Sequence, residues 1–97
     1  MNTLSKFPQS YLVAYDISRD DERNKVGKLL EGYGFRVQKS VFEVNADKRT
    51  LKQLVQALRK IEPHSGFARI YPIGYHTKPL SVGKIPRDSE ANFSFVF

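Results

Sequence analysis

Cysteine is absent from this sequence. That excludes a disulfide framework, thiol catalysis and a cysteine zinc site, and it agrees with a reducing compartment. No stretch reaches the roughly 18 consecutive apolar residues that a membrane-spanning helix needs. Met1-Asn2-Thr3-Leu4-Ser5-Lys6 also lacks the apolar core of a secretory signal, so the expectation is a soluble, cytoplasmic protein with no membrane partner. Histidine is scarce: His64 and His76 stand apart from each other and from any acid cluster, which argues against a histidine metal site or a catalytic histidine pair. Also missing are a glycine-rich phosphate loop, a nucleophile elbow, the aromatic signature of an RNA-recognition motif, internal repeats and low-complexity segments.

What is present is positive charge. Sixteen Lys and Arg stand against ten Asp and Glu, giving a formal charge of +6 over 97 residues and favouring polyanionic partners such as nucleic acid. The length suits one domain with a modest core, near the size at which pairing with a second copy adds useful burial.

The run Tyr11-Leu12-Val13-Ala14-Tyr15-Asp16-Ile17-Ser18 is rich in strand formers and ends in one carboxylate, so it predicts a buried first strand with Asp16 near its C-terminal end. Residues 1–9 before it show no periodicity and are expected to form a loose arm. From Asp20 to Tyr33, the apolar residues Val26, Leu29, Leu30 and Tyr33 follow the i, i+3, i+4, i+7 spacing of one helical face. Ser18 or Asp20 is the expected N-cap, and Gly34 the expected left-handed terminator. Phe35 and Val37 then alternate on odd positions, whereas Phe42 and Val44 alternate on even ones. The change of phase near Lys39-Ser40 predicts two strands joined by a very tight turn or bulge. A second helix carries Leu51, Leu54, Val55, Leu58 and Ile61 on one face; Asp47, or Thr50 with Gln53, is positioned to cap it and Pro63 to stop it. Phe67 to Ile73 is a further strand, with Pro72 pointing to its end or to a sheet edge.

The resulting order is β-α-β-β-α-β, an α+β ferredoxin-like sandwich with both helices on one face of an antiparallel sheet. Residues 1–75 form this domain. Residues 76–97 form a tail whose last segment, Ala91 to Phe97, alternates enough to be a short additional strand that pairs across to a second copy.

Three groups of residues are candidates for function. Asp16 is the only acid directly following an apolar strand; it serves either as a turn former or as a ligand for a hard divalent ion, and one carboxylate per chain then needs a second copy across a two-fold axis. Arg19, Arg23, Lys25, Lys28, Arg36 and Lys39 gather on the first helix and the hairpin after it. They form either a solvated basic face or a phosphate-binding surface able to stabilise charge in phosphoryl transfer. Lys48, Arg49, Lys52, Arg59 and Lys60 spread over the polar side of the second helix, where solubility is the simpler reading. The aromatic residues fall mostly on core positions and are assigned to packing.

Tyr15-Asp16-Ile17, Arg23-Asn24-Lys25-Val26, the block from Gly34 to Glu43, and the closing Arg69-Ile70-Tyr71-Pro72-Ile73 together resemble the small CRISPR-associated Cas2 family, the central subunit of the spacer-acquisition complex. The resemblance implies a homodimer in which Asp16 of each copy shares Mg²⁺ or Mn²⁺ across the two-fold. It also implies two activities: metal-dependent endonuclease action on single-stranded RNA or double-stranded DNA, and a scaffold role holding DNA with the integrase Cas1. By position, Asp16, Arg23 and Arg36 match the catalytic residues, and Tyr15, Lys25, Ser40 and Phe42 match their supports, with Arg19 and Lys39 adding contacts to nucleic acid. Lys39 replaces an aromatic residue common in the family, trading stacking for a phosphate contact. Two other readings remain open at this point: a toxin-like mRNA interferase of similar fold, and a non-catalytic protein-interaction module.

Overall fold

Strand β1 (Gln9–Ile17) is built from residues that favour a pleated, half-buried surface, and it occupies the centre of the molecule. In the computed structural model, which describes residues 8–74, 80 and 82–84, β1 pairs antiparallel with a neighbour on each side. Its odd positions Tyr11, Val13, Tyr15 and Ile17 are buried, while Leu12 and Ala14 are partly covered and Asp16 is exposed. The two-residue repeat therefore puts one face of β1 into the core and Asp16 on the other.

The remaining elements are α1 (Asp20–Glu31), β2 (Gly34–Gln38), β3 (Val41–Ala46), α2 (Lys48–Ile61) and β4 (Gly66–Gly74). The sheet runs β2-β3-β1-β4, every pairing antiparallel, which is the expected ferredoxin-like arrangement. Val26 and Leu30 from α1 and Leu54 from α2 are fully buried against Val13, Phe42 and Val44 of the sheet. Burying each such side chain contributes roughly 1.5–3 kcal/mol, which makes this apolar face the main reason both helices form where they do.

The hairpin between β2 and β3 has the predicted irregularity: a two-residue turn at Lys39 and Ser40, with a register shift between Arg36 and Gln38. Asp47 is the cap of α2, its carboxylate accepting from the Thr50 N–H at 2.8 Å. That helix ends at Glu62, whose N–H still reaches the Leu58 carbonyl and whose left-handed backbone (φ 52°) turns the chain out of the helix before Pro63, which has no N–H to offer. Among the described residues β4 is an edge strand, where proline is tolerated, and its register with β1 shifts beside Pro72, between Ser10 and Tyr11.

Two local expectations at α1 are corrected. Gly34 does not terminate the helix; Gly32 occupies that position in a right-handed conformation, and Gly34 already belongs to β2. A Cβ at Gly34 would lie 2.0 Å from the Glu43 carbonyl oxygen, so glycine is there to let two strands approach closely. Neither Ser18 nor Asp20 caps the helix, since Arg19 takes the cap position without a capping side chain. Ser65 of the α2–β4 connection supplies the contacts instead: its hydroxyl accepts from the Arg19 N–H at 2.9 Å, and its carbonyl accepts from the Ser18 hydroxyl at 3.0 Å. The expected arm also ends earlier, because Gln9 is within β1 and the buried Ser10 hydroxyl donates to Asn45 at 2.8 Å.

No helix among the described residues is long and apolar enough to cross a membrane. The additional strand expected over residues 91–97, and its exchange with a second copy, lie outside the described residues.

Candidate functional site

A cleft of about 520 Å³ opens between α1 and the β2–β3 hairpin, lined by Tyr15, Arg23, Arg36, Lys39 and Ser40 together with Asn24, Lys28 and Glu31. Its floor is aromatic. Phe42, fully buried, lies 6.3 Å from the Tyr15 ring in a stacked arrangement, and the Arg36 guanidinium rests 4.7 Å above the centre of the Phe42 ring. That cation–π contact, with the planar guanidinium donating to the Lys39 carbonyl and to the Tyr15 hydroxyl at 3.4 Å, fixes Arg36 in place. The Tyr15 hydroxyl in turn donates to the Lys39 carbonyl at 3.3 Å, tying the central strand to the hairpin turn.

Gly27 explains how α1 comes so close. A Cβ there would meet the Arg36 Nη2 atom and the Tyr15 hydroxyl, each at 3.1 Å. The residue that weakens the helix by about 1 kcal/mol relative to alanine therefore makes room for two side chains of the cleft.

Arg23 faces a different set of groups. Its Nη1 donates to the carbonyls of Ile17 and Ser18, both at 3.0 Å, and its Nη2 pairs with Asp20. It thus closes the C-terminal end of β1, just beyond Asp16. Arg19 forms a two-pronged pair with Asp21 at 2.7 and 3.1 Å, and Arg36 reaches Glu31 at 3.5 Å. Lys25 is exposed and lies outside the cleft lining. Lys28 and Lys39 line the cleft with no carboxylate partner among the described residues.

Asp16 stands apart. It lies on the opposite face of the sheet from Tyr15 and Phe42, so the proposed acid and Arg36 do not meet within one chain. The backbone around it is tightly packed: a Cβ at Gly66 would fall 1.8 Å from the Asp16 carbonyl oxygen, so β4 needs glycine to pair at this point. Across the ladder, Asp16 faces Phe67, which is 51 % exposed and carries the Arg69 guanidinium 5.2 Å over its ring. The donor chemistry suits half of a hard-cation site, an exposed carboxylate with no bonded partner among the described residues, while Asp20, Asp21 and Glu22 are already engaged.

Sequence reasoning passed over two carboxylates. Glu22 is buried and accepts three hydrogen bonds: from the Ser65 hydroxyl at 2.6 Å and from the backbone N–H groups of His64 and Ser65, each at 2.9 Å. Those donors, the Ser65 hydroxyl foremost, hold its pKa down to about 2. Its partners lie more than 40 residues away, and no local pattern announces them. Glu43 is buried on the sheet face that bears Asp16, and burial raises its pKa. The only signal for Glu43 was a charged residue between apolar ones in a strand.

Comparison with known proteins bears on the whole domain. The sequence profile of the family described as CRISPR associated protein Cas2 matches residues 9–78, which is most of the chain. The chain belongs to the Cas2 family. Similar members include a Synechocystis protein named CRISPR-associated endoribonuclease Cas2 3, 47 % identical over 69 % of this chain and 74 % of its own length. A Thermus thermophilus protein named CRISPR-associated endonuclease Cas2 2 is 43 % identical over 78 % of this chain and 86 % of its own. A crystal structure of Cas2 superposes with a TM-score of 0.70 at 29 % identity, covering 93 % of this chain and 99 % of its own. A chain of a partial Cas6-RT-Cas1–Cas2 complex superposes with a TM-score of 0.50 at 37 % identity, covering 66 % of this chain and 77 % of its own. The Cas2 family thus accounts for the βαββαβ fold.

Proposed function

We propose that this chain acts in CRISPR spacer acquisition, as a homodimeric subunit that binds nucleic acid alongside a Cas1-type integrase and hydrolyses phosphodiester bonds. The family match across residues 9–78 carries the reading, and a Cas1–Cas2 assembly among its structural neighbours supports the integrase partner. The names of relatives, endoribonuclease in one case and endonuclease in another, support nuclease action on RNA or DNA.

The chemistry follows from the two faces of the sheet. Asp16 presents its carboxylate where a second copy can bring the matching group, and the pair would hold Mg²⁺ or Mn²⁺ between the copies, their remaining neighbours being water and phosphate oxygens. A divalent ion in that place supplies Lewis-acid stabilisation of the phosphoryl charge. On the other face, Lys28, Lys39, Ser40 and the outer edge of Arg36 line the cleft that receives the nucleic-acid backbone. Tyr15 and Phe42 keep the Arg36 plane oriented, and Arg23 holds the end of β1 so that Asp16 keeps its direction. Arg19 and Lys25 add positive charge around the same helix.

The test is cleavage of single-stranded RNA and of duplex DNA with Mg²⁺, comparing the wild type with Asp16→Asn. Loss of the carboxylate lowers the rate by about 100-fold or more if it holds the metal, since such stabilisation is worth several kcal/mol. Full activity in Asp16→Asn would sink the paired-acid hydrolysis while leaving the scaffold role standing.

A further inference from the structure

Each face of the sheet carries one cation. The four strands hold two basic residues, Arg36 in β2 and Arg69 in β4. Arg36 pairs across the ladder with Phe42 and shares the face that the helices cover. Arg69 pairs with Ala14, and Phe67, two residues before it, pairs with Asp16, so Arg69 and Asp16 project from the same open face. Arg23, although close to Asp16 in sequence, commits its guanidinium to the Ile17 and Ser18 carbonyls and to Asp20.

Arg69 is held without being used. Its guanidinium lies 5.2 Å over the half-exposed Phe67 ring. Stacking on a ring fixes the plane of a guanidinium and leaves the N–H groups along its edge able to donate. Arg36 is seated on Phe42 in the same way, but its edge is taken by the Lys39 carbonyl, the Tyr15 hydroxyl and Glu31. Arg69 pairs with no carboxylate and donates no hydrogen bond among the described residues. Its cross-strand neighbour Ala14 offers nothing polar, and the remaining carboxylate of this face, Glu43, is buried on β3 with β1 in between. Asp16 stands diagonally across the ladder, a relation that separates the two backbones by about 7–8 Å. Both side chains can therefore reach one phosphate, and they form no ion pair with each other.

The geometry points to Arg69 as a catalytic residue on the Asp16 face, with Phe67 as its positioning residue. The assignment rests on the phosphodiester hydrolysis proposed above and gives that reaction the cation that Arg36 cannot supply within one chain. In hydrolysis a water oxygen bonds to phosphorus and the bond to one ester oxygen breaks. The proton that the water loses is balanced by one taken up at the leaving oxygen. Negative charge grows meanwhile on the two non-bridging oxygens, and the guanidinium edge donates two parallel N–H groups to them.

The experiment is steady-state cleavage of single-stranded RNA and duplex DNA with Mg²⁺ by the wild type, Arg69→Gln, Arg69→Lys and Phe67→Leu. Mn²⁺ binding by electron paramagnetic resonance and folding by circular dichroism accompany it. Arg69→Gln lowers kcat by about 100-fold with KM nearly unchanged, as when one donor to a developing oxyanion is removed. Arg69→Lys keeps the charge without the fork and regains part of the rate. Phe67→Leu keeps an apolar side chain without the ring and lowers kcat by about 2- to 5-fold. All three bind Mn²⁺ as the wild type does, whereas Asp16→Asn does not. Full kcat in Arg69→Gln beside an inactive Asp16→Asn overturns the role of Arg69 and leaves the paired-acid hydrolysis standing. A change confined to KM overturns it too, since Arg69 then only binds substrate. Mn²⁺ binding lost in Arg69→Gln as it is in Asp16→Asn makes Arg69 a support of the acid and again overturns the assignment. A wild type that cleaves neither substrate overturns the hydrolysis itself, and this assignment with it.

Discussion

Helix α1 carries three basic residues and α2 five, and the surroundings of the two helices hold them differently. Around α1 the guanidinium groups are held by neighbours: Arg23 by the Ile17 and Ser18 carbonyls, Arg36 by Phe42, Tyr15 and Glu31, and Arg19, at the surface, by Asp21. On α2 the cations are exposed and form no ion pair among the described residues, although Arg49 helps to lower the pKa of the Asp47 cap. The difference separates two tasks that charge alone cannot distinguish. Cations held by acids and aromatics keep one geometry, which suits a site that must position a group; cations on an unpaired helix face keep their full field, which suits a surface that must attract a long anion.

The contrast breaks most readily at its packed end. Phe42→Ala removes the fully buried ring beneath Arg36 and Tyr15, with an expected loss of about 3–5 kcal/mol in urea unfolding. The corresponding change on the other helix, Lys52→Ala, is expected to stay within about 0.5 kcal/mol, because nothing packs on it. Equal costs for the two would mean that the α2 cations are held as firmly by the fold as those around α1.

Acid tests the α1 side by a separate route. Glu22 has its pKa lowered from 4.5 to about 2 by the donors of Ser65 and His64. A depressed carboxylate contributes stability that is present above the unfolded value and lost as pH falls through the folded one. The wild type is therefore expected to lose stability between pH 4.5 and about 2. Glu22→Gln should be less stable near neutrality and show a flatter profile over that window, as read from thermal melts at stepped pH. Parallel profiles for the two proteins would remove Glu22 from the account of acid unfolding.

The smallest effect is the most discriminating. Lys48→Glu and Arg49→Glu place acids in the first turn of α2, and each is expected to stabilise the fold by about 0.3–1 kcal/mol. The same changes should weaken duplex binding. Stability and affinity moving in opposite directions would show that these cations are kept at the expense of the helix that carries them; a fall in both would show that they support the fold.

Much of the fold was readable because its signals are local and periodic. Leu51, Leu54, Leu58 and Ile61 define α2 without reference to anything else, and the odd-to-even switch between Val37 and Phe42 marks the hairpin turn. The site was readable only in part. Tyr15, Arg23, Arg36, Lys39 and Ser40 do converge on one cleft over Phe42, but Asp16 lies one residue from Tyr15 and so points to the other face. Glu22, Gly27 and Gly66 were illegible for a common reason: each is explained by a partner in space, respectively the Ser65 loop, the side chains of Arg36 and Tyr15, and the backbone of Asp16. The basic residues could be counted in the sequence, whereas which of them carry a carboxylate depends on folding.

The central position of β1 has a consequence for how the chain is made. Of the strands described, β1 leaves the ribosome first and needs partners on both edges, and its second partner, β4, comes more than fifty residues later, Val13 pairing with Ile70. Until then a nascent chain carries a β-branched, aromatic strand with one bare edge, a template for pairing with any neighbouring copy. Closing that long loop is also the slow, non-local step that sets the folding rate.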